Sequence, residues 1–254
     1  MSFITRRLRA SPDQDHQMFK FFISSDAATQ QTERFTRLNA HVPDLVRSVG
    51  VDAQGLDVQA MRQMNLISAE CLFTQAAFAQ ALSHISLWGN VAQHQTAAHV
   101  FAGNAVLCAN FEAESTRILA SLPQDWDFVL WGTAPGVTLQ LDILPDLALF
   151  TGAVQPPYSA HGAAALSEME VTSLAFPLMT TTSVCGYAIS PSGADKLIKA
   201  CLPLTSTTVP AANPLDGGTP AQTLEQLMSL HYSTIKAYAC VPPLCMADAT
   251  PSAL

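Results

Sequence analysis

The sequence predicts an α/β fold, a mostly parallel sheet flanked by helices, and three observations predict it. Short apolar runs of strand length recur along the chain, segments with helical spacing of apolar residues separate most of them, and Gly, Pro or Asn marks the junctions. A length of 254 residues suffices for one large domain with a substantial core.

Residues 1–17 read as an arm, in which Arg6, Arg7 and Arg9 lead into a polar stretch broken by Pro12. A single domain spans 18–254. "MFKFFIS" has the make-up of a buried first strand and stops at Ser24-Ser25-Asp26. From Thr29 to His41, Phe35 and Leu38 fall at helical spacing with Glu33, Arg34 and Arg37 outside. "VRSVGVDA" reads as a second strand ending at Asp52. Between Leu72 and Trp88 the positions Phe78, Leu82 and Ile85 mark one apolar helix face. His99 to Phe101 is a strand, interrupted by Gly103-Asn104 and resumed by "AVLC".

Phe111, Ile118, Leu119 and Leu122 give another amphipathic helix, closed by Pro123, and "FVLW" at 128–131 follows as a strand. Residues 132–167 are rich in Pro, Gly and Ala and read as a long irregular insertion with a short strand at Leu147 to Phe150. "GYAIS" is a strand, and Ser190-Pro191 opens a helix with Ala194, Leu197, Ile198 and Cys201 on one face. Thr219-Pro220 with Gln222 reads as the capped start of a helix ending near His231. "IKAYAC" is the last strand, stopped by Pro242-Pro243.

Composition narrows the function classes. Charged residues make up 13% of the chain, against about 25% in soluble domains generally. So little charge points either to an exterior partly covered by other protein chains in an oligomer or assembly, or simply to an Ala-rich enzyme. A net charge of −8 and only 12 basic residues argue against nucleic-acid binding, which relies on Lys and Arg. The six cysteines show no CxxC pair or zinc spacing and lie mostly in apolar segments, as buried free thiols in a reducing, intracellular compartment would. His94 and His99 have no carboxylate or Cys partner at metal-site spacing. No apolar run is long enough to span a membrane. The N-terminus lacks the apolar core of a secretory signal, although its Arg-rich start resembles an organellar targeting segment or a basic arm.

One window stands out: from Cys71 to Phe111 there is no Asp, Glu, Lys or Arg. Several segments around it carry a family resemblance. "LSHISLW" (82–88), "FEAESTRILASLPQDWDFVLWG" (111–132), "CGYAISPSGADKLI" (185–198) and "IKAYACVPPLC" (235–245) stand in the order and spacing of corresponding segments in glycosyltransferase family 25. With the strand near Phe19 and Val51-Asp52, the chain resembles this family of lipooligosaccharide and collagen galactosyltransferases over about residues 19–246. The resemblance implies a GT-A-like nucleotide-sugar fold, a UDP-sugar donor with Mn²⁺, and a glycan acceptor.

The departures fall where the family does its chemistry. Its metal-holding Glu-Asp-Asp cluster is replaced by Ala102-Gly103-Asn104, of which only Asn104 offers an oxygen. Its Gly-Glu-x-Gly-Cys before Ser-His reads Ala76-Ala77-Phe78-Ala79-Gln80, and its Arg-rich turn after the first strand reads Ala27-Ala28-Thr29-Gln30-Gln31. No metal or other cofactor is therefore expected.

The residues the resemblance leaves for donor binding are Asp52, Ser83, His84, Asn104 and Tyr187. His84 is a potential proton carrier, and Tyr187 a platform for a base or sugar; ordinary helix hydrogen bonds and core packing compete with these roles. Asp216, in "NPLDGG", is the candidate metal ligand or general base, or else an ordinary turn residue. Asp125 and Asp127 flank Trp126 at a strand entry, where turn formation accounts for them. Three functions follow. The first is a degenerate family-25-like protein acting as a structural or binding subunit of an assembly. The second is an active, metal-independent hexosyltransferase with Asp216 as base and Arg34 or Arg37 against the phosphates. The third is a lectin-like module binding glycan through 132–167.

Overall fold

The computed structural model describes residues 18–25, 28–145, 147–155, 162–210 and 217–248. The arm assigned to 1–17 lies outside them. The first half of the chain forms β1 (Phe19–Ser24), α1 (Thr29–Leu38), β2 (Leu45–Val49), α2 (Val58–Gln63), α3 (Gln75–His94), β3 (Ala98–Ala102), β4 (Ala105–Leu107), α4 (Phe111–Ser121) and β5 (Phe128–Gly132). Then come β6 (Thr138–Leu144), β7 (Ala148–Ala153), β8 (Leu174–Thr181), β9 (Gly186–Ile189) and α5 (Pro191–Cys201). The chain closes with β10 (Thr208–Pro210), β11 (Gly218–Pro220), α6 (Leu224–Ser229), β12 (Ala237–Val241) and β13 (Cys245–Ala247).

Nine strands form one sheet in the order β2-β1-β3-β9-β5-β12-β8-β6-β7. The fold is α/β, but the sheet is mixed, which corrects the expectation of a mostly parallel one. Only β1 with β2, β1 with β3 and β5 with β12 pair in parallel; the other five neighbouring pairs are antiparallel. The reason is in the connections. A parallel crossover needs a dozen or more residues, usually a helix. The short β6–β7 link carries none, so these two strands pair as an antiparallel hairpin; β8 pairs antiparallel on the other side of β6, and β9 enters antiparallel between β3 and β5.

Both faces of the sheet are covered, and strand alternation divides the core accordingly. Val100, Phe128, Leu130, Tyr187, Ile189 and Ala239 point to the side of α3, α5 and α6. Phe101, Val129, Trp131, Ala188 and Cys240 point to the side of α1, α4, β4 and β13. Helix starts follow capping chemistry: the hydroxyls of Thr74 and Ser190 accept from Ala77 N and Gly193 N at 3.2 and 3.0 Å.

Several expectations need correction in detail. Thr138–Leu144 and Ala148–Ala153, read as part of an irregular insertion, pair as the β6–β7 hairpin, and the strand expected at Leu147 to Phe150 overlaps β7. The cap of α6 is Thr223, whose hydroxyl accepts from Gln226 N, while Thr219 pairs in β11. β12 is followed by β13, which pairs with β4. On α3 the buried residues include Phe78, Ala81, Ser83, His84, Leu87, Trp88 and Val91, whereas Leu82 and Ile85 are half-buried. The polar side chains of Ser83 and His84 turn inward because partners await them there.

Candidate functional site

In an open α/β sheet, ligands bind beyond the carboxyl ends of the strands where strand order reverses. Here that point lies between β1 and β3, since β2 flanks β1 on one side and β3 on the other. The strand ends bring together Ser24, Gly50, Ala102, Gly103 and Asn104, with the start of α1 above them.

Hydroxyls, close packing and an ion pair fill this place. Ser24 Oγ and Thr32 Oγ1 share a 2.6 Å hydrogen bond. A Cβ at Gly103 would stand 2.8 Å from Ile23 O, 3.5 Å from Ser24 Cβ and 3.7 Å from Gln31 Cδ. Real Cβ atoms do not come so close to backbone oxygen, so this position accepts no side chain without a shift of β1. Asn104 is engaged by the segment after β13: its Nδ2 donates to Asp248 O at 3.4 Å, and Asp248 N donates to Asn104 O at 2.8 Å. The Asp248 carboxylate takes a 2.5 Å charge-assisted bond from Arg34 Nε.

The other candidates are also held in structural roles. Ser83 Oγ donates to Ala79 O at 2.7 Å and accepts from Val51 N at 2.8 Å, tying α3 to the turn after β2. Val51 thereby presents Asp52 to solvent, where Oδ1 accepts from Gln54 N at 3.0 Å. His84 Nδ1 meets the Tyr187 hydroxyl at 2.8 Å, and Trp88 Nε1 donates to the same oxygen at 2.8 Å. With the indole donating, the hydroxyl proton is satisfied by pointing at Nδ1, which assigns the Nε2–H tautomer to His84. Tyr187 also stacks on Phe128, ring centroids 5.0 Å apart. Burial pushes His84 down to about 4, so it is neutral near pH 7 and a poor proton carrier there.

Asp216 lies outside the described residues. Asp52, Asn104 and the Ser83–His84–Tyr187 set are separately engaged, and no hydrogen bond among the described residues joins the three groups. Asp127 is 0% exposed, its two oxygens 2.8 and 2.7 Å from Lys196 Nζ, and Asp125 pairs with Lys236. Both fix the entry to β5, as a turn reading requires. His94 is exposed at the end of α3, whereas His99 is buried and accepts from Trp131 Nε1 at 3.1 Å; burial and the Lys20 charge push it down to about 3. Among the described residues no group of three or more His, Cys, Asp or Glu is arranged to hold a metal, and no helix is long and apolar enough to cross a membrane.

Two features escaped sequence reasoning. One is the cover of Asn104 by Asp248 and Arg34, which joins residues 214 positions apart. The other is an open cleft of about 630 Å³ between Gln54–Arg62 and Cys71–Phe78, with Arg62 beside the Phe73–Phe78 ring pair. Asp52, Ser83, His84, Asn104 and Tyr187 do not line it. No local motif announces either. No family model matches the chain, and no curated protein matches it.

Proposed function

We propose that the chain is a degenerate glycosyltransferase-family-25-like protein with a GT-A-like scaffold, lacking metal-dependent sugar transfer and serving as a structural or binding subunit of a larger assembly. The observation that carries this reading is Gly103. At the strand end where the family resemblance calls for metal-holding carboxylates, the packing of Ile23, Ser24 and Gln31 leaves no room for a side chain. The order β2-β1-β3 with its switch point agrees with a nucleotide-binding ancestry, while Ser83, His84, Asn104 and Tyr187 serve packing.

Surface character supports the subunit role. Leu144, Leu147, Leu149 and Phe150 are exposed together on the β6–β7 hairpin, Leu147 at 85%, at one edge of the sheet. Solvent-exposed apolar residues gathered on a sheet edge are what a partner chain covers. The transfer step is tested by UDP release from UDP-hexoses with Mn²⁺ and glycan acceptors: the expected rate is that of the buffer alone, and enzyme-dependent turnover overturns the reading. The subunit role is tested by native mass measurement of the protein isolated from its source, where a chain found only as a free monomer counts against it.

A second reading, metal-independent hexosyl transfer, is favoured by Arg34, a cation already at the strand-end crevice through its bond to Asp248. It requires UDP release that persists in EDTA and is abolished by Asp216→Asn.

A further inference from the structure

All six cysteines are free and buried, yet two of them touch. Cys185 Sγ and Cys245 Sγ lie 3.5 Å apart. Cys185 immediately precedes β9 near the centre of the sheet, and Cys245 opens β13, the last described strand. Glycines make this approach feasible. A Cβ on Gly186 would be 2.5 Å from Cys245 Sγ, and one on Gly132 would overlap Cys245 O.

A disulfide needs about 2.05 Å between sulfurs, so closure asks for a movement of about 1.5 Å. That is a side-chain adjustment, helped by the short β13 ladder. Besides three residue pairs with β4, β13 is anchored by Leu244 N donating to Trp131 O at 2.8 Å and Cys108 N donating to Leu244 O at 2.9 Å. Asp248, the next residue after β13, is the cover on Asn104.

We propose that Cys185 and Cys245 are an oxidisable pair that closes into a disulfide, pinning the C-terminal segment to the centre of the sheet and fixing Asp248 over Asn104. This inference is independent of whether sugar transfer is lost. The oxidant is a low-molecular-weight disulfide such as oxidised glutathione. Cys185, 3% exposed against 0% for Cys245, is reached first. Its thiolate attacks one glutathione sulfur, forming a mixed disulfide and releasing one glutathione thiolate. The Cys245 thiolate then attacks Cys185 Sγ and releases the second. Two protein thiols become one disulfide, the oxidant becomes two thiols, and the two thiol protons pass to the leaving thiolates. Burial holds Cys245 well above the usual thiol range, so its ionisation is favoured while β13 is undocked, and docking of β13 brings the two sulfurs together for closure.

The test refolds the full chain from reduced, urea-unfolded protein in a glutathione redox buffer, with acid quenching and alkylation of free thiols in denaturant. The expected product carries two fewer adducts than the six of the reduced chain, yields a Cys185–Cys245 cross-linked peptide, reverts with dithiothreitol, and melts several degrees higher than the reduced form. Cys108→Ser and Cys240→Ser keep the bridge; Cys185→Ser and Cys245→Ser lose it. A natively refolded wild-type chain with all thiols alkylated, or a bridge mapped to other cysteines, overturns the proposal without recourse to any variant.

Discussion

His84 offers a quantitative distinction between a catalytic and a packing residue. In the folded chain it is buried beneath α3 with Nδ1 on the Tyr187 hydroxyl, and burial pushes it from 6.5 to about 4. An unfolded chain therefore binds a proton at this residue below pH 6.5 that the folded chain refuses until about pH 4. Stability is full above 6.5 and is lost as the pH falls through this window. The loss is about 1.4 kcal/mol per pH unit for one proton, or roughly 3 kcal/mol over the window. His99, pushed to about 3, adds a second proton of the same sign. Urea unfolding followed by tryptophan fluorescence between about pH 7 and pH 4 reads the combined slope, about 2.7 kcal/mol per pH unit near the middle of the range. His84→Gln starts less stable because the node loses a partner, but its slope falls by about 1.4 kcal/mol per pH unit. Parallel profiles for wild type and His84→Gln, or a directly titrated His84 near 6.5, refute the assignment.

Three further outcomes follow from the same contacts. Tyr187→Phe leaves His84 Nδ1 and Trp88 Nε1 buried without their shared partner and should cost about 2–4 kcal/mol in denaturant unfolding; a loss under about 0.5 kcal/mol contradicts the node. Gly103→Asp restores an acid in sequence but drives a Cβ against Ile23 O. It should destabilise by about 2 kcal/mol or more and gain no Mn²⁺ affinity by electron paramagnetic resonance, whereas a stable, Mn²⁺-binding variant removes the steric argument. Asp127→Ala, which strips Lys196 Nζ and Lys236 N of their buried acceptor, should cost about 2–4 kcal/mol; thermal unfolding within about 1 °C of wild type shows Asp127 to be dispensable.

Much of the fold was legible because its strands and helices carry their own periods. Phe19–Ser24, Phe128–Gly132 and Gly186–Ile189 are apolar runs that read as buried strands because the sheet is covered on both faces. Ser190-Pro191 marked α5 through local capping chemistry. Strand direction was not legible, since no residue of β9 encodes its antiparallel entry between β3 and β5, which is set by pairing with strands distant in the chain. The β6–β7 hairpin was obscured because Pro and Gly flank it and because, although Leu139 and Leu141 of β6 turn inward, Ile143, Leu144, Leu149 and Phe150 stay exposed and blur the alternation. At the strand-end crevice, sequence showed that Ala102-Gly103-Asn104 offers no carboxylate but not what packs around it. Gly103 reads as a mere gap until Ile23, Ser24 and Gln31 close around it, and Asp248 reads as tail until it meets Arg34 and Asn104. Those contacts join residues far apart in the chain, where periodicity and spacing carry no information.

The strand-end crevice is tested most directly by calorimetric titration of UDP into the full chain in the presence of Mn²⁺. A site whose Gly103 is overlain by β1 and α1, and whose Asn104 is held by Asp248, gives no saturable heat into the millimolar range, about −4 kcal/mol of binding free energy. Saturable, Mn²⁺-dependent binding of UDP at micromolar concentrations, about −8 kcal/mol, contradicts the proposed absence of a donor site.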